Sequence, residues 1–356
     1  MRILHAADLH LDAPLTGFGA EKTARLRREM LTIPSKIAEL CLKNACDLLL
    51  LPGDLFDGSC SREGLHALKS ALEEVKIPVF ISPGNHDFCS PGSPWLTEVW
   101  PENVHIFKKP MVESVVLPEL DCRVYGAGFA AMDCPGLLEH FSLQGEERYH
   151  IGVFHADATQ RNSPYNPVTQ PQVAASKLDY LALGHIHKTG SFTAGKTLCA
   201  WPGCPMGHGY DETGEKGVLL VELEEQATAD FLALDTPRFY DLEAPVLTTA
   251  KEAIAAVLPG GGSEDFYRIT LTGECDKPDL TLLRGQFDRY PNLELRDKTR
   301  PAVDVWSAVG EDSLEGMYFR ILRDAMEGQD EESRGIACLA ARISRTILDG
   351  GEVELP

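Results

Sequence analysis

The sequence predicts an α/β fold, and three observations lead to that class. Through the first two-thirds of the chain, short runs of aliphatic and β-branched residues alternate with helical patterns, as expected where helices cover a sheet. The pattern changes near residue 235, and the 356 residues exceed the roughly 250–300 at which a single core usually stops growing. Hydrophobic residues make up 44% of the chain, which excludes disorder over its whole length. We therefore expect more than one domain.

Residues 1–235 hold most of the predicted elements. The predicted strands are Arg2–Ala7, Asp47–Leu51, Val79–Ser82, Val104–Phe107, Cys122–Gly126, Tyr149–Phe154, Tyr180–Leu183, Thr197–Ala200 and Lys216–Glu222. The predicted helices are Lys22–Ala45, Arg62–Val75, Gly136–Ser142 and Gln170–Lys177. Pro34 falls inside the first helix and lacks a backbone N–H, so a kink or a break is expected there. A glycine-rich turn joins the last two strands.

A smaller unit follows residue 235. It alternates strand and helix in the order Arg238–Leu242, Thr248–Val257, Phe266–Thr272, Asp279–Asp288 and Asn292–Asp297. Two amphipathic helices come next, Leu314–Met326 and Glu331–Leu348, split by Gly328-Gln329-Asp330. The second carries an apolar face with three- and four-residue spacing, formed by Ile336, Leu339, Ala340, Ile343 and Ile347. That face either packs on its own domain or docks a partner.

Composition and charge narrow the function classes. No apolar stretch approaches the ~18 residues of a membrane helix, and Asp8 interrupts the N-terminus before a signal-peptide core forms. The ten cysteines are scattered without a C-x-x-C pair, so we expect reduced thiols in a cytoplasmic protein with no membrane association. The formal net charge of −21 disfavours DNA binding through a broad basic face of the chain itself.

One arrangement occurs five times: an apolar strand runs directly into residues of metal-ligand type. The five endings contain Asp8 with His10, Asp54 with Asp57, Asn85 with His86 and Asp87, His155, and His185 with His187. Taken singly, each has a plain structural interpretation as a turn, a helix cap or a buried histidine. Because ligands gather at the carboxyl ends of strands in open α/β sheets, five such endings predict one shared metal site.

These residue types fit a pair of divalent cations. Two metals about 3.5–4 Å apart need a bridging carboxylate and mixed nitrogen and oxygen ligands, and they activate water and neutralise phosphate oxygens. A separate acid must protonate the leaving oxygen, and histidine is the side chain that titrates near working pH. Imidazole, carboxylate and amide ligands together favour manganese, iron or zinc over calcium or magnesium. The sequence therefore predicts a two-metal site suited to the hydrolysis of phosphate esters.

The spaced motifs resemble the full motif set of the calcineurin-like metallophosphoesterases. They are Asp8-x-His10, Gly53-Asp54-x-x-Asp57, Gly84-Asn85-His86-Asp87, His155 and Gly184-His185-x-His187. The resemblance implies a four-layer sandwich of two mixed β-sheets flanked by helices. It implies that one metal is held by Asp8, His10 and His187, that the other is held by Asn85, His155 and His185, and that Asp54 bridges them. It also implies that His86 protonates the leaving group and that Asp57 orients His86. Asp87 is either a support for the ligands or a turn cap.

Over residues 1–225 the chain is most similar to the SbcD-like and YhaO-like bacterial DNA-repair exonucleases. The similarity is carried by the segments 2–12, 53–57, 202–207 and 212–217. The small α+β domain that follows also resembles the capping domain of these enzymes. The resemblance implies a nuclease domain at 1–235, a DNA-binding-like capping domain at 236–300 and a C-terminal helical segment at 301–356. It further implies a manganese-dependent exonuclease that acts on DNA beside an SbcC-like, SMC-type ATPase, and it leaves a homodimer open.

Asp57 marks the one departure from the wider nuclease family, in which some members carry histidine at this position. The bacterial branch and the phosphatases of the superfamily share the aspartate, so the position does not separate nuclease from phosphatase.

The sequence leaves three functions open. The first is a metal-dependent DNA nuclease in DNA repair. The second is a phosphoesterase acting on a nucleotide or another small phosphate, which the acidic charge favours. The third is a non-catalytic scaffold of the same fold, which the intact ligand types argue against. The basic clusters Arg25, Arg27, Arg28, Lys108 and Lys109 either contact DNA or form solvated surface.

Overall fold

The computed structural model describes residues 1–301, 304–326 and 330–350. The chain forms two compact units: Met1–Asp241 with Glu264–Tyr267, and Leu242–Ser263 with the described residues from Arg268 onward. Among the described residues, no helix combines the length and the apolar character that a membrane span requires.

The first unit contains two six-stranded sheets, four α-helices and a short 3-10 helix at Pro118–Leu120. Its strands are β1 (Arg2–His5), β2 (Leu48–Leu51), β3 (Val79–Ile81), β4 (Val104–Ile106), β5 (Glu113–Leu117), β6 (Cys122–Gly126), β7 (Tyr149–His155), β8 (Tyr180–Gly184), β9 (Gly190–Ala194), β10 (Thr197–Trp201), β11 (Gly217–Leu223) and β12 (Ala227–Ala233). Its helices are α1 (Ala20–Lys43), α2 (Arg62–Val75), α3 (Pro94–Thr97) and α4 (Gln170–Ser176). The strand orders are β12-β11-β1-β2-β3-β4 and β5-β6-β7-β8-β10-β9. Both sheets are mixed, because β1 to β4 and β6, β7, β8 and β10 run parallel while the other pairs are antiparallel.

Side-chain alternation along the strands builds the layers. In β2, Leu48 and Leu50 face a core shared with Ile151 of the second sheet, whereas Leu49 and Leu51 face a core that includes residues of α1 and α2. In β8, Leu181 and Leu183 enter a third core that also holds Val173 of α4. The order is therefore helices, sheet, sheet, and then α4 with its loops. This confirms the α/β sandwich of two mixed sheets flanked by helices.

The parallel strands bring distant segments to one rim. In the first sheet His5 is paired with Leu50 and Leu51 with Ile81, so β1, β2 and β3 end side by side. In the second sheet His155 is paired with Gly184, so β7 and β8 also end together. The predicted ligand residues lie at the ends of these five strands: His155 is the last residue of β7, and the others lie in the loops that follow the strands.

Helix α1 continues through Pro34, so the chain does not break there, and the kink that was the other expected outcome stays a prediction. The helix buries Met30, Ile33, Pro34 and Ile37 at helical spacing, and this packing holds the segment helical despite the missing N–H. Helix α2 begins at the predicted residue, where the Ser61 hydroxyl accepts the Gly64 N–H at 2.9 Å.

The predicted helix Gly136–Ser142 does not form, because this segment makes turns instead. Glycine at its start disfavours helix, and the Leu137 N–H donates to the side chain of Asn166 at 2.8 Å. The predicted strands near 197 and 216 exist, but β10 and β11 belong to different sheets and are not hairpin partners.

Within its described residues, the second unit contains a three-stranded sheet, four α-helices and a short 3-10 helix at Ser307–Gly310. The strands are β13 (Phe239–Pro245), β14 (Phe266–Thr272) and β15 (Leu293–Asp297), in that order, with the first residues of β13 and β14 counted in the first unit. The helices are α5 (Ala250–Val257), α6 (Leu280–Arg284), α7 (Leu314–Asp324) and α8 (Glu331–Leu348). Helix α6 ends earlier than predicted, and its last residue, Arg284, donates to the carbonyls of Phe287, Pro291 and Leu293. The predicted split at Gly328-Gln329 lies outside the described residues.

Helices α7 and α8 share a small core and leave much apolar surface open. Phe319 and Ala341 are fully buried against Ala308, while the side chains of Leu314, Ile321, Ile336 and Ile347 are more than half exposed. The apolar face of α8 is therefore only partly covered by the described chain. The roles assigned to 1–235, 236–300 and 301–356 stay predictions.

Candidate metal centre

All nine predicted site residues lie in the first unit, at the rim where β1, β2, β3, β7 and β8 end. Asp8, His10 and His187 form one group whose potential ligand atoms lie within 4.8 Å of one another. The Nε2 atoms of His10 and His187 are 3.1 Å apart, although 177 residues separate them in sequence. Two imidazoles that bind the same cation are expected to lie this close together.

A second group is built around Asn85. Its side-chain oxygen lies 2.9 Å from His155 Nε2 and 3.3 Å from His185 Nδ1. The second nitrogen of His155 faces the Pro52 carbonyl at 3.0 Å, so it donates its proton there and leaves Nε2 for a ligand. Each half of the site therefore contains two imidazoles with an oxygen ligand.

Asp54 lies between the two groups. Its Oδ2 is 3.8 Å from His10 Nε2 and 3.2 Å from His155 Nε2. Its Oδ1 accepts the backbone N–H of His86 at 2.9 Å, which fixes the rotation of the carboxylate. Asp8 also reaches both sides, because it belongs to the first group and accepts the His185 N–H at 2.9 Å. Asp54 is the carboxylate best placed to bridge two cations.

His86 and Asp57 form a pair beside the two groups. The His86 Nδ1 donates to Asp57 Oδ1 at 2.5 Å, and the His86 side chain is 45% exposed at the edge of the site. Asp57 Oδ1 also lies 3.5 Å from His10 Nδ1. The hydrogen bond from His10, opposed by partial burial, holds the pKa of Asp57 below its usual value. One ionised carboxylate thus orients the exposed imidazole and a candidate ligand.

The ligand loops use unusual backbone conformations. Four of the candidate ligands have a positive φ although none of them is glycine: Asp8 at 54°, His10 at 43°, Asp54 at 51° and His185 at 93°. Such conformations cost of order 1–3 kcal/mol each and persist where surrounding contacts determine them. Here the Asp8 N–H donates to Gly53 and the His10 N–H to Asp54, both through backbone carbonyls, so the two loops hold each other.

Glycine is required where the loops meet most closely. A Cβ at Gly84 would lie 2.2 Å from Asp54 Oδ1, and one at Gly184 would lie 2.0 Å from the Pro52 carbonyl. These distances explain in steric terms the glycine that precedes Asn85 and the one that precedes His185.

Burial and charge together set the protonation of the site. Burial would raise the pKa of Asp54, but the neighbouring imidazoles of His155 and His10 hold it well below its usual value. Burial lowers the pKa of His155, and the charge of Asp54 outweighs this and raises it to about 9. Burial and the neighbouring His155 lower the pKa of His185. The carboxylate, amide and imidazole donors therefore match the ligand types of two divalent cations, with buried anionic oxygen at the centre.

Asp87 does not face either ligand group. Its carboxylate accepts the N–H groups of Gly84 at 2.7 Å and Leu55 at 2.8 Å, and it therefore ties the 53–57 loop to the 84–87 loop. Burial and the charge of Asp54 raise the pKa of Asp87 to about 7. Its contacts fit a support for the ligand loops.

Two residues that follow β10 also contact the site, and the sequence alone assigned them no role. Glu212 contacts His187 Nδ1, and its other oxygen accepts from His208 Nδ1 at 2.9 Å. His187, His208 and Glu212 form a further group of potential ligand atoms within 4.8 Å of one another. Both added residues lie in the loop between β10 and β11. The only signal was the segment Glu212–Gly217, which supported the family resemblance without indicating a contact.

A two-sheet α/β sandwich whose strand ends gather carboxylate, amide and imidazole groups beside a histidine–aspartate pair defines a class, the metal-dependent phosphoester hydrolases. The chain belongs to the calcineurin-like phosphoesterase family, whose model matches residues 1–189. It is thus a metal-dependent phosphoesterase, and the family fold implies divalent metal ions.

The chain is also similar to named relatives. It is 28% identical over 342 residues to the uncharacterized metallophosphoesterase YhaO of Bacillus subtilis, covering 88% of this chain and 82% of that protein. It is 25% identical over 275 residues to the SbcD subunit of the SbcCD nuclease of Bacillus subtilis, covering 64% and 68%. It is 26% identical over 231 residues to the DNA double-strand break repair protein Mre11 of Aeropyrum pernix, covering 57% and 53%. The expected membership and the expected similarity are confirmed.

Proposed function

We propose that this protein is a two-metal-dependent DNA nuclease that hydrolyses phosphodiester bonds as an exonuclease in DNA repair. The observation that carries the proposal is the convergence of five strand ends on one rim, with Asp54 between two imidazole groups and the His86–Asp57 pair beside them. We further propose manganese as the metal, with iron or zinc as alternatives, because the donors mix imidazole, amide and carboxylate.

The chain's own residues have distinct tasks in this proposal. Asp8, His10 and His187 would hold one cation, Asn85, His155 and His185 the other, and Asp54 would contact both. When bound, two such cations neutralise phosphate oxygens and activate water. The backbone N–H of His86 and the imidazoles around Asp54 keep its carboxylate ionised and oriented, so the site is organised before substrate arrives.

His86 would protonate the leaving oxygen. A carboxylate can only accept, so the short contact with Asp57 places a proton on His86 Nδ1 and leaves Nε2 for the exchange with the leaving group. A cavity of about 250 Å³ lies beside this imidazole and is lined by Phe56, Ser59, Ser90 and Ser93 among others. It offers room for the departing part of the substrate.

DNA as substrate is supported by relatives of this chain that are named as nucleases or break-repair proteins. The name of the SbcCD nuclease supports an SbcC-like, SMC-type ATPase as a partner in this proposal. The open apolar groove of α7 and α8, about 590 Å³ and lined by Leu314, Tyr318, Ile347 and Leu348 among others, is a suitable docking surface for such a partner. The partner would also supply positive charge that this acidic chain lacks. The homodimer and the cytoplasmic location stay predictions.

The net charge of −21 favours a second candidate, a phosphoesterase that acts on a nucleotide or another small phosphate. A small substrate needs only the local positive charge of the metal centre, whereas duplex DNA also meets the negative field of the surrounding surface. The chemistry of the rim residues is the same in both cases.

A manganese-dependent assay on the full chain separates the two candidates. End-labelled duplex DNA and p-nitrophenyl phosphate are each incubated with Mn²⁺ and, in parallel, with a chelator. The proposal predicts shortening of the DNA that stops with the chelator and in the Asp54→Ala variant. Monoester turnover without any DNA cleavage would replace it with the small-phosphate function.

A further inference from the structure

Glu212 contacts two imidazoles at the candidate metal centre, although the sequence alone assigned it no role. Its side chain is 13% exposed, and its Oε1 accepts from His187 Nδ1. Its Oε2 accepts the backbone N–H of His208 at 2.8 Å and the His208 Nδ1 at 2.9 Å. Both carboxylate oxygens are therefore engaged. Two of the side-chain partners are imidazoles, and the third is the Cys204 thiol, which donates to Oε2 at 3.7 Å.

The direction of these hydrogen bonds fixes the protonation pattern of His187. Because the carboxylate accepts, the hydrogen of the His187 ring sits on Nδ1. The neutral ring then carries its lone pair on Nε2, the atom that lies 3.1 Å from His10 Nε2 in the group with Asp8. A histidine that donates its other N–H to a carboxylate is held in the tautomer and orientation that bind metal.

The environment of His208 differs from that of His187. Its ring lies 5.6 Å from the ring of His10 and 6.3 Å from that of His187. Its Nε2 is buried and makes no hydrogen bond within the described part of the chain. The ring therefore packs beside the ligands, and the Glu212 contact at Nδ1 anchors it there.

We propose that Glu212 is a positioning residue that acts through His187 and thereby determines how tightly the site of Asp8, His10 and His187 holds a divalent cation. The inference rests on the proposed function, in which His187 is a metal ligand. In this proposal Glu212, which lies in the β10–β11 loop, affects the binding of one of the two cations and leaves the binding of the other unchanged.

The test is a calorimetric Mn²⁺ titration of the metal-free full chain. Glu212→Gln keeps the volume but removes the charge, and its one oxygen can accept from only one of the two imidazoles. We expect two Mn²⁺ ions for the wild type, one tight ion for the variant, and a second that binds about 10–100-fold more weakly. Phosphodiesterase activity should need correspondingly more Mn²⁺ and approach the wild-type kcat at saturation. A support for folding alone would not produce that separation.

Glu215→Gln is the matched control. Its side chain is 59% exposed, three positions further along the same loop, and pairs with Arg238 instead of an imidazole. It should bind both ions as the wild type does. Glu212→Asp keeps the charge on a shorter side chain and should weaken the second ion less than Glu212→Gln.

The outcomes separate the inference from the proposed function. A wild-type chain that takes up fewer than two Mn²⁺ ions would remove the proposed function itself. Two wild-type ions that both remain within about threefold of their affinity in Glu212→Gln would overturn the role of Glu212 alone. His208→Gln should keep both ions, and a loss equal to that of Glu212→Gln would assign the effect to His208 and overturn the path through His187.

Discussion

Substitution of Gly84 tests whether the candidate metal centre requires the close approach of two loops in addition to the correct ligand residues. A Cβ at this position would lie 2.2 Å from Asp54 Oδ1 and 2.7 Å from His155 Nδ1, whereas ordinary contact begins at 3.4 Å. The φ of Gly84 is not in the left-handed region, so alanine meets no backbone penalty and any effect comes from the collision. Relief requires the Asp54 carboxylate or the 84–87 loop to move by about 1 Å, and a displacement of that size costs about 100-fold in rate.

We expect Gly84→Ala to lower the free energy of unfolding by about 1–3 kcal/mol, the usual effect of overpacking an interior. We also expect loss of at least one of two bound Mn²⁺ ions and a fall of about 100-fold in phosphodiester hydrolysis. Urea unfolding, calorimetric Mn²⁺ titration and hydrolysis of bis(p-nitrophenyl) phosphate measure the three effects.

Gly92→Ala is the control for this substitution, because a Cβ there meets nothing within 4 Å and its φ is also not left-handed. Its stability should change by less than about 0.5 kcal/mol, with Mn²⁺ binding and activity retained. A Gly84→Ala chain that binds two Mn²⁺ ions with wild-type affinity would refute the reasoning, because Asp54 could then not be held where the close contact requires it.

Three further predictions concern His86, Asp54 and His5. His86→Ala should bind two Mn²⁺ ions yet lose about 100- to 10,000-fold in turnover, because in the proposed mechanism His86 supplies a proton and is not a ligand. The control is His66→Ala, a change of an exposed histidine on α2, which should leave metal binding and turnover unaffected. Metal analysis of Asp54→Ala should find that the chain no longer binds two ions together, because Asp54 is the carboxylate near both ligand groups. Burial lowers the pKa of His5 to about 3, so its contribution to stability is complete above pH 6.5 and falls by about 1.4 kcal/mol per unit as the pH drops toward 3. Urea unfolding at pH 7, 6 and 5 should show a shallower decline for His5→Gln than for the wild type.

Each of these has a clear contrary result. Loss of metal from His86→Ala would show that the imidazole is a ligand and would remove its assignment as the acid. Two ions retained by Asp54→Ala would exclude it as the bridge. Parallel pH dependences for the wild type and His5→Gln would mean that the imidazole is protonated equally in the folded and unfolded chains.

The strand-to-ligand pattern could be predicted because parallel strands impose it. Once β1, β2 and β3 pair in parallel, the residues after Leu51 and Ile81 must emerge at the same rim as Asp8. The same holds for His155 and His185 after β7 and β8. Buried parallel strands also give the strongest apolar runs, so the central strands were predicted nearly to the residue.

The strands that the sequence did not indicate share a physical cause. Strands β5, β9 and β12 each lie at the edge of a sheet, where half of the side chains face solvent and the apolar run is broken. The positioning contact of Glu212 could not be predicted either, because it depends on the fold of a loop with no regular period. Neighbours in that loop, such as Asp211 and Glu215, are equally acidic and more exposed.

The residues with strained backbone conformations are also residues of metal-ligand type. This indicates that the chemistry of the site, and not packing, accounts for the backbone conformation. Asp8, His10, Asp54 and His185 adopt conformations that glycine would adopt at lower cost, at a total penalty of several kcal/mol. Glycine would supply no ligand, so the strain is the unavoidable consequence of placing a functional side chain where the chain must turn sharply. The loops resist relaxation because they bond to each other: Asp8 accepts the His185 N–H, and Asp54 accepts the His86 N–H. A donor set held in this way before any cation arrives needs little reorganisation on binding, which is the condition for a tight and well-defined pair of metals.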